Sequence, residues 1–256
     1  MSESAAGRPV DAVIFLGDIE AQRPFETEIA PILALGVEVL WIPGNHDTDT
    51  EENWRNLEGT MHRNISGRVI DIAGTRVAGL GGIFRGFWVP RDFKKQSADG
   101  EPHFDSYDEF ARDLRQRQGL QRRLTKLDRV QREAIPDRIA KLTDSTKNGQ
   151  LRHHQSSIFP DTVRKLAKLR ADVLVTHEAP GCHPHGFDEL SRLAKAMRVK
   201  SSFHGHHHDN LDYSAHHDAL GFKSFGVGFC GITDETGRIV VTAVIGSKKR
   251  EFRDVD

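Results

Sequence analysis

Apolar positions in this chain fall in short runs, and each run breaks on glycine, proline or a polar cluster. Val10 to Leu16 (Val-Asp-Ala-Val-Ile-Phe-Leu) predicts a buried strand that stops at Gly17-Asp18-Ile19-Glu20. Pro24 to Leu35 places Phe25, Ile29, Ile32 and Leu33 at helical spacing, with Gly36 as the stop. Val37 to Ile42 is a second strand, which Pro43-Gly44 turns sharply into Asn45-His46-Asp47. A strand–helix–strand unit implies parallel pairing. Asn53 to Leu57 predicts a short helix. Val69 to Ala73 and Arg76 to Leu80, joined through Gly74-Thr75, predict a hairpin.

After Gly81-Gly82 the strand pattern stops. From Arg85 to about Ser157 the chain is highly charged, and Leu120, Leu124, Leu127, Val130 and Ala134 mark one apolar helical stripe. Pro136 ends or kinks that helix, and a second short one follows through Ile139 and Leu142. Between Glu109 and Gln150 eleven Lys or Arg stand against six Asp or Glu. That excess describes either a solvated helical hairpin or a basic lid that attracts phosphate. Alternating α and β texture then resumes. A helix runs from Pro160 to about Leu169, a strand from Asp172 to Val175 into Thr176-His177-Glu178, and a helix from Phe187 to Met197. The strand Val199 to Phe203 runs into His204-Gly205-His206-His207-His208. Two more strand-like runs, Lys223 to Phe229 and Arg238 to Ile245, flank the turn Asp234-Glu235-Thr236-Gly237.

Composition changes this picture in few places. The 256 residues carry a formal net charge of −1, so nothing global selects nucleic acid or an anionic surface. No run approaches the roughly 18 apolar residues of a membrane span, so no membrane partner is expected. Residues 1–9 read as a flexible leader, and Met1 to Gly7 has neither the basic nor the apolar region of a secretory signal. The two cysteines, Cys182 and Cys230, fit a reduced, cytoplasmic setting. The 14 histidines are the unusual feature.

Several of them fall where strands end. Asp18, then Asn45 with His46, then His177, then His206 and His208 each follow an apolar strand by a residue or a few. Ligand crevices form at the carboxyl ends of strands in α/β sheets, so the topology gathers these side chains at one edge. A carboxylate, an amide oxygen and imidazoles suit a pair of Zn, Fe or Mn ions, whereas a structural zinc site favours thiolates. Two such cations activate water for phosphoester hydrolysis.

Gly17-Asp18, Gly44-Asn45-His46-Asp47, Thr176-His177 and Gly205-His206-His207-His208 resemble, in order, the motifs of calcineurin-like metallophosphoesterases. The resemblance runs from about Val10 to the carboxyl terminus, the helical insertion excepted. It implies a four-layer α/β/β/α sandwich, read as one domain over residues 1–256 with an insertion at about 86–158. It also implies that Asp18 bridges two divalent cations (Mn²⁺ or Fe/Zn) and that Asn45, His177 and His206 hold the second. His208 would bind the first, and His46 would stabilise the transition state or protonate the leaving oxygen.

One motif of the family is absent. An Asp-x-His on a preceding first strand supplies two ligands to the first metal, and here Asp11 is followed by Ala12-Val13 with no histidine. The first strand thus looks missing, and the first metal site is expected to be weak or empty. Asp18 is followed by Ile19-Glu20-Ala21-Gln22-Arg23 and the second motif ends in Asp47, which disfavours a protein serine/threonine phosphatase. Glu20 is either a supporting acid for a ligand or an exposed loop residue.

His207 is expected to point away from the ligands, His204 to be a supporting, surface or ligand residue, and His153-His154 to be solvated. His183, His185, His216 and His217 sit in turn-rich loops, and Arg85 and Arg91 are candidates to meet a substrate phosphate. The reading is therefore a metal-dependent phosphoesterase acting on a phosphomonoester or phosphodiester. The alternatives are a nuclease that uses the basic insertion, and a non-catalytic metal-binding or scaffold relative.

Overall fold

Parallel pairing begins at once in the fold, between β1 (Ala12–Phe15) and β2 (Glu38–Trp41), with Phe15 opposite Trp41. The computed structural model describes residues 9–85, 104–116 and 147–242. Helix α1 (Phe25–Leu33) makes the crossover between these strands and carries Glu26 and Glu28 in its first turn, where the helix dipole favours acids. Helix α2 (Glu51–Glu58) starts at Thr50, whose hydroxyl accepts the Asn53 amide at 3.0 Å. The hairpin β3 (Val69–Ile72) and β4 (Thr75–Leu80) is antiparallel. Its turn residues Ala73 and Gly74 have φ of 48° and 85°, the left-handed pair that a twisted two-residue turn requires.

From β4 the second sheet grows by parallel steps. It takes β5 (Val173–Thr176), then β6 (Ser201–His204), then β7 (Lys223–Gly226), in the order β3-β4-β5-β6-β7. Helix α3 (107–116) and helix α4 (Lys147–His153) belong to the expected insertion. Helices α5 (Pro160–Leu166, with proline in its first turn) and α6 (Asp188–Met197) cover the sheet. Helix α7 (His217–Leu220) precedes β7. The turn at Asp234 joins β8 (Ile232–Thr233) to β9 (Ile239–Val241), a separate antiparallel pair. The run before that turn is therefore shorter than its apolar pattern. Lys223 to Gly226 joins the main sheet, and the short β8, which the apolar pattern did not mark, faces β9.

Strand alternation assigns the layers. In β2, Val39 and Trp41 pack with Phe25, Ile29 and Leu57 of α1 and α2, whereas Leu40 and Ile42 pack with Val77, Val175 and Phe203 of the other sheet. On the far face of the larger sheet, Ala78, Leu80 and Leu174 meet Val163, Leu166, Leu190, Leu193 and Met197 of α5 and α6. Helices, sheet, sheet, helices is the expected α/β/β/α order. β1 pairs with β2 alone among the described residues, and its four residues are all half-buried.

The stripe Leu120 to Ala134, the segment through Ile139 and Leu142, and Arg91 lie outside the described residues. What is described of the insertion meets the domain through Arg152, whose Nε donates to the Thr48 carbonyl at 3.1 Å, and also packs on itself. The Tyr107 hydroxyl donates to the Leu151 carbonyl at 3.2 Å, and the Phe110 ring lies 4.4 Å from that of His154. His153 and His154 are half-buried rather than solvated, because Phe110 covers one of them and the loop after β2 covers the other.

Candidate metal centre

Two glycines allow the sheets to meet at the carboxyl ends of β1, β2 and β5. A Cβ on Gly17 would lie 2.4 Å from the Gly44 nitrogen and 2.7 Å from His177 Nδ1, and one on Gly44 would lie 2.2 Å from Asp18 Oδ1. Asp18, Glu20, His206 and His208 all adopt positive φ (51°, 46°, 66° and 60°), a conformation unusual for side-chain-bearing residues and common at functional loops. Asp47 ties these loops together. It is fully buried, its Oδ2 accepts the Gly44 amide at 2.7 Å, and its Oδ1 accepts the Glu20 amide at 2.9 Å. Burial raises its carboxyl to about 6 in spite of those two amides.

His177 is the hub. Its Nδ1 lies 2.7 Å from the Leu16 carbonyl, and a carbonyl only accepts, so Nδ1 carries the proton. Nε2 then directs a lone pair toward Asn45 Oδ1 at 3.1 Å and Asp18 Oδ2 at 3.4 Å. Three acceptor atoms converging without a donor is the arrangement that a cation completes, and a pinned Nδ1–H is how ligating imidazoles are oriented. His206 joins them, since ligand atoms of Asp18, His177 and His206 lie within 4.8 Å of one another. In the absence of a cation, burial disfavours charge on His177, but Asp18 overrides this and raises its pKa. Burial likewise opposes ionisation of Asp18, yet His177 and the His46 amide (2.9 Å from Oδ1) bring it down to about 2. Burial and His177 lower His206 to about 4, which keeps its one lone pair for a metal. The donor set fits a divalent cation held by Asp18, Asn45, His177 and His206.

His208 is not part of this group. It is exposed, its ring rests 5.0 Å from that of Phe229, and it belongs to neither cluster of metal-competent atoms among the described residues. His46 stands beside the cluster and donates from Nδ1 to Asp49 Oδ2 at 2.6 Å. Burial lowers its pKa, but the Asp49 hydrogen bond and the charge of Asp18 raise it above the ordinary value.

Two contributors escaped the pattern of strand ends, and a third, Arg85, is one of the two arginines singled out as candidates for a substrate phosphate. Asp49 orients His46. Glu178, 4 % exposed, is raised to about 7 by burial. Arg85 enters from the loop after β4 and donates from Nη2 to Ser156 Oγ at 2.9 Å, while its Nε is buried without a partner among the described residues. Burial lowers Arg85 to about 10, against the pull of Asp49, Glu178 and Asp18. An apolar run ending in Thr-His-Glu was the only available sign of Glu178.

The remaining histidines sort by their partners. His204 Nδ1 donates to the Gly205 carbonyl at 3.1 Å and Nε2 accepts the Tyr213 hydroxyl at 3.0 Å, so it is a supporting residue. His183 Nδ1 accepts the His185 amide at 2.9 Å, and its Nε2 donates to Asp209 at 3.1 Å. His217 Nε2 accepts the Ser224 amide at 3.1 Å.

The chain has recognisable relatives among known proteins. An uncharacterized protein of Haemophilus influenzae is 32 % identical over 241 residues, which span 93 % of this chain and 89 % of that one. The crystal structure of TT1561 of Thermus thermophilus superposes with a TM-score of 0.47 at 14 % identity, covering 94 % of this chain and 88 % of that one. The family profile described as calcineurin-like phosphoesterase matches residues 3–210. With most of its length matched, and with Asp18, Asn45, His177 and His206 converging at the sheet edge, the chain belongs to the calcineurin-like phosphoesterase family, a family of metal-dependent hydrolases.

Proposed function

We propose that this protein hydrolyses a phosphomonoester or phosphodiester at the Asp18–Asn45–His177–His206 centre, with His46 as the general acid. The observation that supports this most directly is the convergence of His177 Nε2, Asn45 Oδ1 and Asp18 Oδ2, a cation seat with a fixed tautomer. A bound divalent cation, Mn²⁺ or Fe/Zn, supplies Lewis acidity to the ester and lowers the pKa of water. The chain's own residues do the rest. Asp49 holds His46 through Nδ1, so the proton for the leaving oxygen sits on Nε2. Arg85 Nε, withdrawn from water without a partner among the described residues, suits a phosphate oxygen, and Ser156 holds the guanidinium in place. The insertion bounds the same crevice. Arg152 Nε donates to the Thr48 carbonyl at 3.1 Å, and the Thr48 and Ser156 hydroxyls lie 2.6 Å apart. Cys182 and Cys230 are not joined in a disulfide, which suits the cytoplasmic setting included in this reading, and no described helix is long and apolar enough to cross a membrane.

The test is hydrolysis of nitrophenyl phosphate and bis(nitrophenyl) phosphate with Mn²⁺, Fe²⁺ or Zn²⁺. His46→Ala is expected to lower turnover by about 10²- to 10⁴-fold and leave bound metal unchanged. No turnover on either ester with any of these ions overturns the hydrolase reading and favours a metal-binding scaffold. The excess of five positive charges between Glu109 and Gln150 supports a nuclease as the second reading. Binding of single- or double-stranded DNA that weakens steeply with salt would carry it.

A further inference from the structure

His207 is absent from the Asp18 group, but it does not point away from His206 as their alternation suggests; the two share a second group. Ligand atoms of Glu178, His206 and His207 lie within 4.8 Å of one another. Glu178 is almost wholly buried, directly after His177 at the end of β5, and its carboxylate accepts the Phe84 amide. His207 is clamped from outside. Its ring stacks on that of His183 at 3.9 Å and 16°, and His183 is itself fixed by Asp209 and by the His185 amide. That leaves His183 with both ring nitrogens used, as His204 has, so neither can ligate. His207 differs from both. Its Nε2 is buried and has no hydrogen-bond partner among the described residues, an unfavourable state for an imidazole nitrogen unless something binds there.

We infer that Glu178, His206 and His207 form a second divalent-cation seat beside the Asp18 centre, selective for Zn²⁺-like ions. Two imidazoles and one carboxylate with an open position are a zinc donor set. The two seats share His206. A neutral imidazole has one lone pair, so a cation in the second seat takes His206 away from the first. Occupancy of one seat weakens the other, and the second seat fills most readily when the first is disabled. It stands on side-chain geometry alone, whether or not the chain hydrolyses phosphate esters.

The test is equilibrium Zn²⁺ binding to the full chain after chelator stripping, read against a chromophoric chelator, with Co²⁺ absorption as a report on ligand number. In Asp18→Asn, where Asn can still accept the His46 amide, one Zn²⁺ per chain is expected to bind. Adding Glu178→Gln or His207→Gln is expected to weaken that ion by at least about 10- to 100-fold and to lower the Co²⁺ absorption. The proposal is overturned if Asp18→Asn takes up no Zn²⁺, or if both double variants bind within about twofold of Asp18→Asn alone. Glu178 is buried, so thermal unfolding is followed for every variant. Should Glu178→Gln fail to fold, the His207→Gln result, on a half-buried loop ring, decides the matter.

Discussion

His177 and His208 both follow parallel strands of the same sheet, and the family resemblance marks both as metal ligands. His177 is 1 % exposed, its Nδ1 is held by the Leu16 carbonyl, and its Nε2 faces Asn45 and Asp18. His208 is exposed, rests on Phe229, and lies outside either cluster of metal-competent atoms. The difference lies in what surrounds each ring. A buried ring with a fixed tautomer meets a cation without losing side-chain entropy, whereas an exposed ring must first be ordered.

The largest expected effect breaks or keeps that contrast. His177→Gln should weaken Mn²⁺ or Zn²⁺ binding by more than about 100-fold, since even supporting partners of a ligand cost roughly 10- to 100-fold. His208→Gln should cost less than about 10-fold in the same titration. Equal losses in the two variants would show that His208 moves inward when a cation binds, and the contrast would fail.

The contrast also explains what the amino-acid pattern made legible. Strand ends and their side chains were readable because alternation and turn residues are local, and parallel topology then brings Asp18, Asn45, His177 and His206 together whatever their separation in sequence. Which histidines reach the candidate metal centre was less readable. His204, His206, His207 and His208 form one run, yet only the partners contributed by Tyr213, His183 and Phe229 separate their roles. Those partners come from distant segments and leave no periodic trace. Asp47 shows the same limit. Pattern marks it as the last residue of a motif, and only the fold reveals two amides on its oxygens.

Asp47 supplies the next test, on the well-supported half of the site. Asp47→Ala leaves the buried amides of Gly44 and Glu20 without an acceptor, at a cost of about 1–3 kcal/mol each. Loss of a buried carboxylate offsets part of this at neutral pH. The sign follows from the raised pKa. A carboxyl at about 6, above its unfolded value of 3.8, contributes stability that is full below the unfolded pKa and is lost as pH rises through about 6. Urea unfolding should therefore show Asp47→Ala destabilised by about 2 kcal/mol near pH 7 and by more near pH 5. A gap that is constant with pH would mean that Asp47 does not titrate in this range.

The smallest effect concerns His46, the half-exposed side chain proposed as the acid beside the candidate ligands. Burial lowers its pKa, and Asp49 at 2.6 Å, together with the charges of Asp18 and Glu20, more than compensates. Asp49→Asn keeps an oxygen to accept the Nδ1 proton but removes the charge, so burial is left less opposed and the pKa falls. The acid form is then lost at lower pH. In a profile of kcat/KM against pH, the alkaline limb of Asp49→Asn should lie below that of the parent, while at the acidic end the two curves converge. Metal binding should be the same in both, because Asp49 touches none of the atoms around His177. A limb that stays in place would assign the leaving-group proton to another residue, and Glu178, raised to about 7 in the same crevice, would be the next to test.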